Sequence, residues 1–196
     1  MLSKSLEFLE SAHVILNERY FEGALSKPII TVQKSPKAYG HFTCYKAWAD
    51  DKADYEEINI SAETLNRPLE NTIATLLHEM VHQYCFENDI QDTSRGGTYH
   101  NKKFAEEAEK RGLIIEQAPK IGWSKTTPSA ELVEFVKKKW KREISLHRAA
   151  EIEAPTKKKS STRKYVCPCC GMSVRATKEV AIKCMECDMQ LECEEE

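Results

Sequence analysis

Apolar residues recur at helical spacing from the start of the chain. Leu2, Leu6, Leu9, His13, Leu16 and Tyr20 fall on one face, which predicts an N-terminal helix with His13 as a packing residue. Three short runs follow, Ile29 to Val32, Phe42 to Trp48 and Glu56 to Ile60, with β-branched or aromatic content. Gly40 and the acidic Asp50 to Asp54 stretch separate them, so they read as strands of a small antiparallel sheet. Asn66 and Pro68 open a second helix, in which Ile73, Leu76, Leu77, Met80, Val81, Tyr84 and Phe86 are apolar on several sides, as in a buried central helix. The polar segment Glu87 to Gly97 reads as a loop that lets a third helix, with Phe104, Ala105 and Ala108 on one face and Gly112 at its end, fold back on the second. Thr127-Pro128 starts a fourth helix. Its Val133, Val136, Trp140 and Ile144 form a stripe, while Lys137, Lys138, Lys139, Lys141 and Arg142 crowd the remaining surface. Pro155 to Lys164, rich in Lys, Ser and Thr, reads as a flexible basic linker. The fold class predicted is α+β.

Chemistry concentrates in the second helix, which carries His78-Glu79-Met80-Val81-His82. Histidines four positions apart lie about 40° apart around a helix, so both imidazoles can reach one metal ion. Zinc suits neutral imidazole, and three protein ligands leave a fourth position for water. Glu79 is then the general base, placed to take a proton from that water and pass it to a leaving amine. A buried, unpaired Glu79 would be costly, so its presence calls for such a partner. His100 is the predicted third ligand, because it opens the third helical pattern. Glu87, Asp89, Asp92, Glu106 and Glu107 stand as oxygen-donor alternatives. His41, Tyr84 and Tyr99 are candidate oxyanion donors among which spacing does not choose.

Six of the eight cysteines lie beyond residue 166; Cys44 and Cys85 stand apart and read as small core residues. Cys167 with Cys170 and Cys184 with Cys187 make two C-x-x-C pairs separated by thirteen residues, the pattern of a structural zinc ribbon, leaving Cys169 and Cys193 spare. Disulfides are the alternative, disfavoured in an intracellular setting.

The order Asn17-x-x-Tyr20-Phe21-x-Gly23-x-Leu25, short strands, Thr75 to His82, and Tyr99-His100-Asn101-x-x-Phe104 resembles the SprT-like metalloprotease family, which includes the DNA-dependent protease Spartan. The resemblance covers roughly residues 1–118. It implies a zincin-like metalloprotease domain with three histidine ligands, a glutamate base and a peptidase or peptidase-like role. One departure is visible: Asn101 stands where family members commonly carry Gly after the third histidine.

Charge sharpens the picture. The chain carries −2 in total, but −6 over residues 1–118, +8 over 119–166 and −4 over 167–196. The central basic belt suits phosphates, and contact with DNA, preferentially single-stranded, is expected through residues 137–164. No run is long enough to span a membrane, and Lys4, Glu7 and Glu10 interrupt any signal-peptide core, so the expected compartment is the cytoplasm, with nucleoid association open. The expected organisation is a metalloprotease domain over 1–118, a basic helix and linker over 119–164 and a zinc ribbon over 165–196, with one catalytic and one structural Zn2+. An edge strand near Gly40 to Trp48 is expected to align an extended protein substrate beside the metal by strand addition. The alternative is a non-catalytic zinc adaptor that binds nucleic acid or protein through belt and ribbon.

Overall fold

A computed structural model describes residues 1–35, 38–141, 144–149 and 162–194. The chain divides into two compact units, Met1–Ala150 and Glu151–Glu196.

In the first unit, helix α1 (Leu2–Tyr20) buries Ser5, Phe8, Leu9, Ala12, His13 and Leu16. The stripe is rotated from the predicted one: Leu2 is exposed and Leu6 half-buried. The cause is Phe8, which turns inward to meet Trp140 edge-on at 5.8 Å. Strands β1 (Ile29–Gln33), β2 (Gly40–Phe42), β3 (Trp48–Ala49), β4 (Asp54–Tyr55) and β5 (Glu57–Ser61) follow. β5 is the middle of a three-stranded sheet, parallel to β1 and antiparallel to β2. The sheet is therefore mixed, which corrects the antiparallel expectation. The connection from β1 to β5 takes in β2 and the β3–β4 hairpin, long enough for the crossover that a parallel pair needs. The strand predicted over Phe42 to Trp48 stops at Phe42. There Thr43 Oγ1 accepts from the Glu57 N–H at 2.9 Å, substituting a hydroxyl for a ladder carbonyl.

Helix α2 (Leu69–Glu87) runs through the core, burying Ile73, Leu76, Leu77, Met80, Val81 and Cys85. Strands β6 (Thr93–Ser94) and β7 (Tyr99–His100) precede helix α3 (Lys102–Glu109). Asn101 caps that helix, its side chain accepting from the N–H groups of Lys103 and Phe104. The residue that departs from the family pattern thus serves as a conventional N-cap.

Strands β8 (Leu113–Ala118) and β9 (Gly122–Pro128) form an antiparallel hairpin, and β9 also meets β7, giving the order β6-β7-β9-β8. Neither strand was predicted. The hairpin crosses the boundary expected at residue 118, and the unit continues to 150. Because β9 occupies residues through Pro128, helix α4 (Ala130–Lys139) begins later than Thr127-Pro128, capped by Ser129 Oγ accepting from the Leu132 N–H at 3.2 Å. Leu132 and Val136 bury its inner face; Ile144 is buried beyond the helix end, and Lys137, Lys138 and Lys139 are exposed. Cys85 is buried as predicted, but Cys44 is exposed. Among the described residues, no helix is long and apolar enough to cross a membrane.

The second unit is built from β10 (Arg163–Val166), β11 (Ser173–Ala176), β12 (Lys183–Cys184), β13 (Met189–Gln190) and β14 (Glu192–Glu194). β10 lies between β11 and β14, and β12 pairs with β13. Its buried cluster is small: Tyr165, Cys167, Cys184 and Leu191. So small a core calls for a covalent or metal staple.

Candidate active site

The predicted ligands come together. His78 and His82 project from successive turns of α2, and His100 ends β7, so that His100 Nε2 lies 3.3 Å from His78 Nε2 and 3.0 Å from His82 Nε2. Three nitrogens on one tetrahedral zinc at about 2.05 Å would stand roughly 3.3 Å apart. Protons do not explain the convergence. His82 Nδ1–H donates to Asp92 Oδ2 at 2.5 Å, and His78 Nδ1 lies 2.7 Å from Thr126 Oγ1, whose own proton goes to the Ser124 carbonyl, so that His78 is the donor; both tautomers leave the Nε2 lone pairs facing inward. One proton on His100 Nε2 can bridge to only one of them. A cation between the three removes the repulsion, and the donor set fits zinc.

Asp92, an alternative ligand by sequence, instead orients the ring of His82, one of the predicted ligands, and Thr126 meets His78, another. No sequence signal marked Thr126, which lies 48 positions from His78. Phe104 forms the floor, with ring centroids 4.5, 4.5 and 4.8 Å from His78, His82 and His100. Burial holds His78 well below the usual imidazole range and His100 down to about 4, reinforced by the neighbouring imidazoles. His78 and His100 are thus kept neutral for a metal, within a three-histidine cluster whose candidate ligand atoms lie within 4.8 Å of one another.

His100 owes its place to Gly122. These two residues are partners where β7 meets β9, and a Cβ on Gly122, at φ +74, would stand 2.2 Å from the His100 carbonyl oxygen. Only glycine admits that approach.

Glu79 is 5% exposed and faces β2, where the Phe42 N–H donates to its carboxylate. Burial pushes its carboxyl up to about 7 and the charge of Asp92 adds to the rise, against His82 and the Phe42 N–H. A carboxylate that titrates near neutrality can both accept and return a proton. Gly40 makes room for it: a Cβ there would lie 3.0 Å from Glu79 Oε1 and 2.9 Å from the Asn59 carbonyl oxygen.

Of the oxyanion candidates, Tyr84 is excluded by packing, its ring held between Phe21 and the Arg111 guanidinium. Tyr99 lies under Arg95, and His41 is an exposed residue of β2 beside Asn59. His13, buried and within 3.3 Å of Gln83 Oε1, is the packing residue expected.

In the second unit, the sulfurs of Cys167, Cys170, Cys184 and Cys187 form a second cluster able to hold a metal. Cys170 and Cys184 Sγ are 3.8 Å apart, the edge of a tetrahedron with Zn–S near 2.3 Å. Backbone N–H groups of Cys170 and Cys169 hold the Cys167 thiol down to about 7, favouring the thiolate a metal requires. Cys169 and Cys193 are exposed and outside the cluster.

These arrangements define a mixed α and β protein with a three-histidine metal site beside a buried carboxylate. The SprT-like family model matches residues 9–121, and the chain belongs to that family, whose members are commonly metallopeptidase-like. No curated protein and no solved structure matches it.

Proposed function

We propose that the chain is a zinc-dependent metalloendopeptidase that hydrolyses peptide bonds in proteins held on DNA. The observation that carries the reading is the position of Glu79, a buried carboxylate between the three-histidine cluster and the open edge of β2.

β2 pairs only with β5 among the described strands. The Tyr39 carbonyl accepts from Ser61, and Thr43 donates to Glu57 across the ladder, so by alternation the backbone groups of Gly40 and Phe42 face away from β5; the Phe42 N–H is held by Glu79, and the Gly40 groups and the Phe42 carbonyl remain for a substrate strand. An extended substrate added there runs past Glu79 with little demand on its sequence. Zinc held by His78, His82 and His100 would supply polarisation of a scissile carbonyl and acidification of a water. Glu79 accepts the proton of the attacking water and delivers it to the amine that leaves. Thr126 and Asp92 keep two imidazoles from turning, and Phe104 keeps the cluster dry from below.

The DNA element of the proposal rests on charge. Lys137, Lys138, Lys139 and Lys141 are exposed, a basic surface suited to phosphates of single-stranded DNA; Arg142 and Lys157 to Lys159 of the expected belt lie outside the described residues. The compartment this implies is the cytoplasm, in association with the nucleoid.

The test is cleavage of a DNA-binding protein by zinc-loaded parent and Glu79→Gln, each with and without single-stranded DNA. Loss of at least about a hundredfold in Glu79→Gln, with zinc content unchanged and parent activity stimulated by DNA, is the expected result. Equal cleavage by both proteins removes Glu79 from the chemistry. Binding of DNA and zinc with no cleavage of any protein by the parent replaces the enzyme with the adaptor reading, to which the cysteine cluster and exposed lysines are equally suited.

A further inference from the structure

One cation beside the cleft lacks a counter-ion among the described residues. Arg67 Nε–H donates to the Thr64 carbonyl at 3.0 Å and an Nη2–H to Thr75 Oγ1 at 2.9 Å, while its guanidinium stacks on the Tyr39 ring at 3.9 Å from the centroid. It is half-buried, and burial works against its charge, yet among the described residues no carboxylate pairs with it. Among the described residues nothing bonds Nη1, which is open to solvent and so to a ligand from outside the chain.

Its location says what that is. Thr75 is shared between Arg67 and the cleft: its hydroxyl holds the guanidinium, while its methyl would be 3.1 Å from a Cβ on Gly40, which would also lie 3.0 Å from Glu79 Oε1. Thr75 and Glu79 are one turn apart on α2, ~6 Å along the axis. Tyr39 immediately precedes β2, and at 58% exposure its ring extends the open edge past Gly40. A substrate strand antiparallel to β2 enters beside Phe42 and leaves toward Tyr39, so the residues C-terminal to the cleaved bond reach the guanidinium.

We propose that Arg67, stacked on Tyr39, forms a specificity subsite for an acidic side chain on the C-terminal side of the cleaved bond. The inference rests on the metallopeptidase reading for its placement, but the guanidinium selects by binding. A carboxylate fits the two-pronged geometry of Nη1 and Nη2 and the planar stack orients it. An extended peptide is the favoured partner over a nucleic acid because the site continues a strand edge, whereas the exposed lysine surface lies on α4.

The experiment uses short, otherwise neutral peptides in which Glu, Gln or Lys is scanned through successive positions. Binding to zinc-loaded Glu79→Gln is measured by fluorescence polarisation, and cleavage by the parent as kcat/KM. Expected is a Glu over Gln preference of about tenfold at one or two positions, in binding and in cleavage. The preference should vanish in Arg67→Gln and turn toward Lys in Arg67→Glu, with thermal unfolding confirming that the variants fold. A merely structural arginine would alter stability without altering the ratio. Charge-indifferent binding at every position overturns the subsite, whether or not the parent cleaves. Charge-selective binding without cleavage by the parent sustains the subsite and sinks the hydrolase reading. Arg67-dependent competition by a single-stranded oligonucleotide, with no Glu preference, assigns the cation to phosphate and overturns the proposal.

Discussion

Gly40 and Glu79 meet so closely that one added methyl group on Gly40 would lie 3.0 Å from Glu79 Oε1. The edge strand and the buried carboxylate are fitted to each other. Gly40→Ala, which also crowds the Asn59 carbonyl at 2.9 Å, is expected to displace the carboxylate and lower kcat/KM at least about tenfold. It should cost about 1–3 kcal/mol of stability by overpacking. Zinc content, measured by emission spectroscopy, should stay at the parent value; a loss of metal would mean that Gly40 serves the ligands rather than Glu79.

Gly122 makes the corresponding fit for His100, the proposed third ligand. Gly122→Ala forces a Cβ against the His100 carbonyl and imposes a side chain at φ +74. The expected outcome is weaker metal binding at the histidine cluster, read by competition with a chelating dye, with the cysteine cluster unaffected.

Asp92 and Thr126 orient His82 and His78, two of the three proposed ligands. Asp92→Asn and Thr126→Val are each expected to weaken metal affinity by about 10- to 100-fold. Dye competition at fixed pH checks this. Unchanged affinity in both would show that packing on Phe104 alone holds the rings.

Titration of Glu79 leaves a signature in stability. Its carboxyl stands at about 7 in the folded chain against 4.5 ordinarily, so the folded state binds the proton more readily. Lowering the pH from about 7 toward 4.5 should therefore stabilise the metal-free parent relative to metal-free Glu79→Gln, by up to about 3 kcal/mol. His78 and His100 act oppositely: both are depressed in the folded state and withdraw stability as the pH falls below 6.5, His100 until about 4, but they do so in both proteins and cancel in the difference. Urea unfolding of the pair across that range is the measurement; a difference that is flat with pH would place Glu79 at an ordinary value.

Cys184 is buried in the second unit, where little else is. Cys184→Ser is expected to remove the metal of the four-cysteine cluster and unfold residues 162–194, seen as loss of dispersed amide signals. The histidine cluster should keep its metal, because each cluster lies within its own compact unit.

What could be read along the chain was whatever lies within a turn or two of itself. Spacing places His78, Glu79 and His82 on α2, and paired C-x-x-C motifs announce the four-cysteine cluster, because ligands on one turn or one knuckle share a face whatever surrounds them. The apolar run of α2 likewise marks a buried helix. The β8–β9 hairpin had a faint local signal, with Leu113 and Ile115 inward and Ile114 and Glu116 outward, between Gly112 and Gly122. The polar β9, Gly122–Pro128, carries no such alternation, so periodicity does not mark the hairpin as a pair. Other features arise only when distant segments meet. The parallel pairing of β1 with β5, the partnership of His78 with Thr126, the bracing of His82 by Asp92 and the contact of His100 with Gly122 are set by packing across the sheet order. Local periodicity records which face of an element is apolar. It carries nothing about which far residue completes a ligand's second hydrogen bond, and that choice belongs to the tertiary structure.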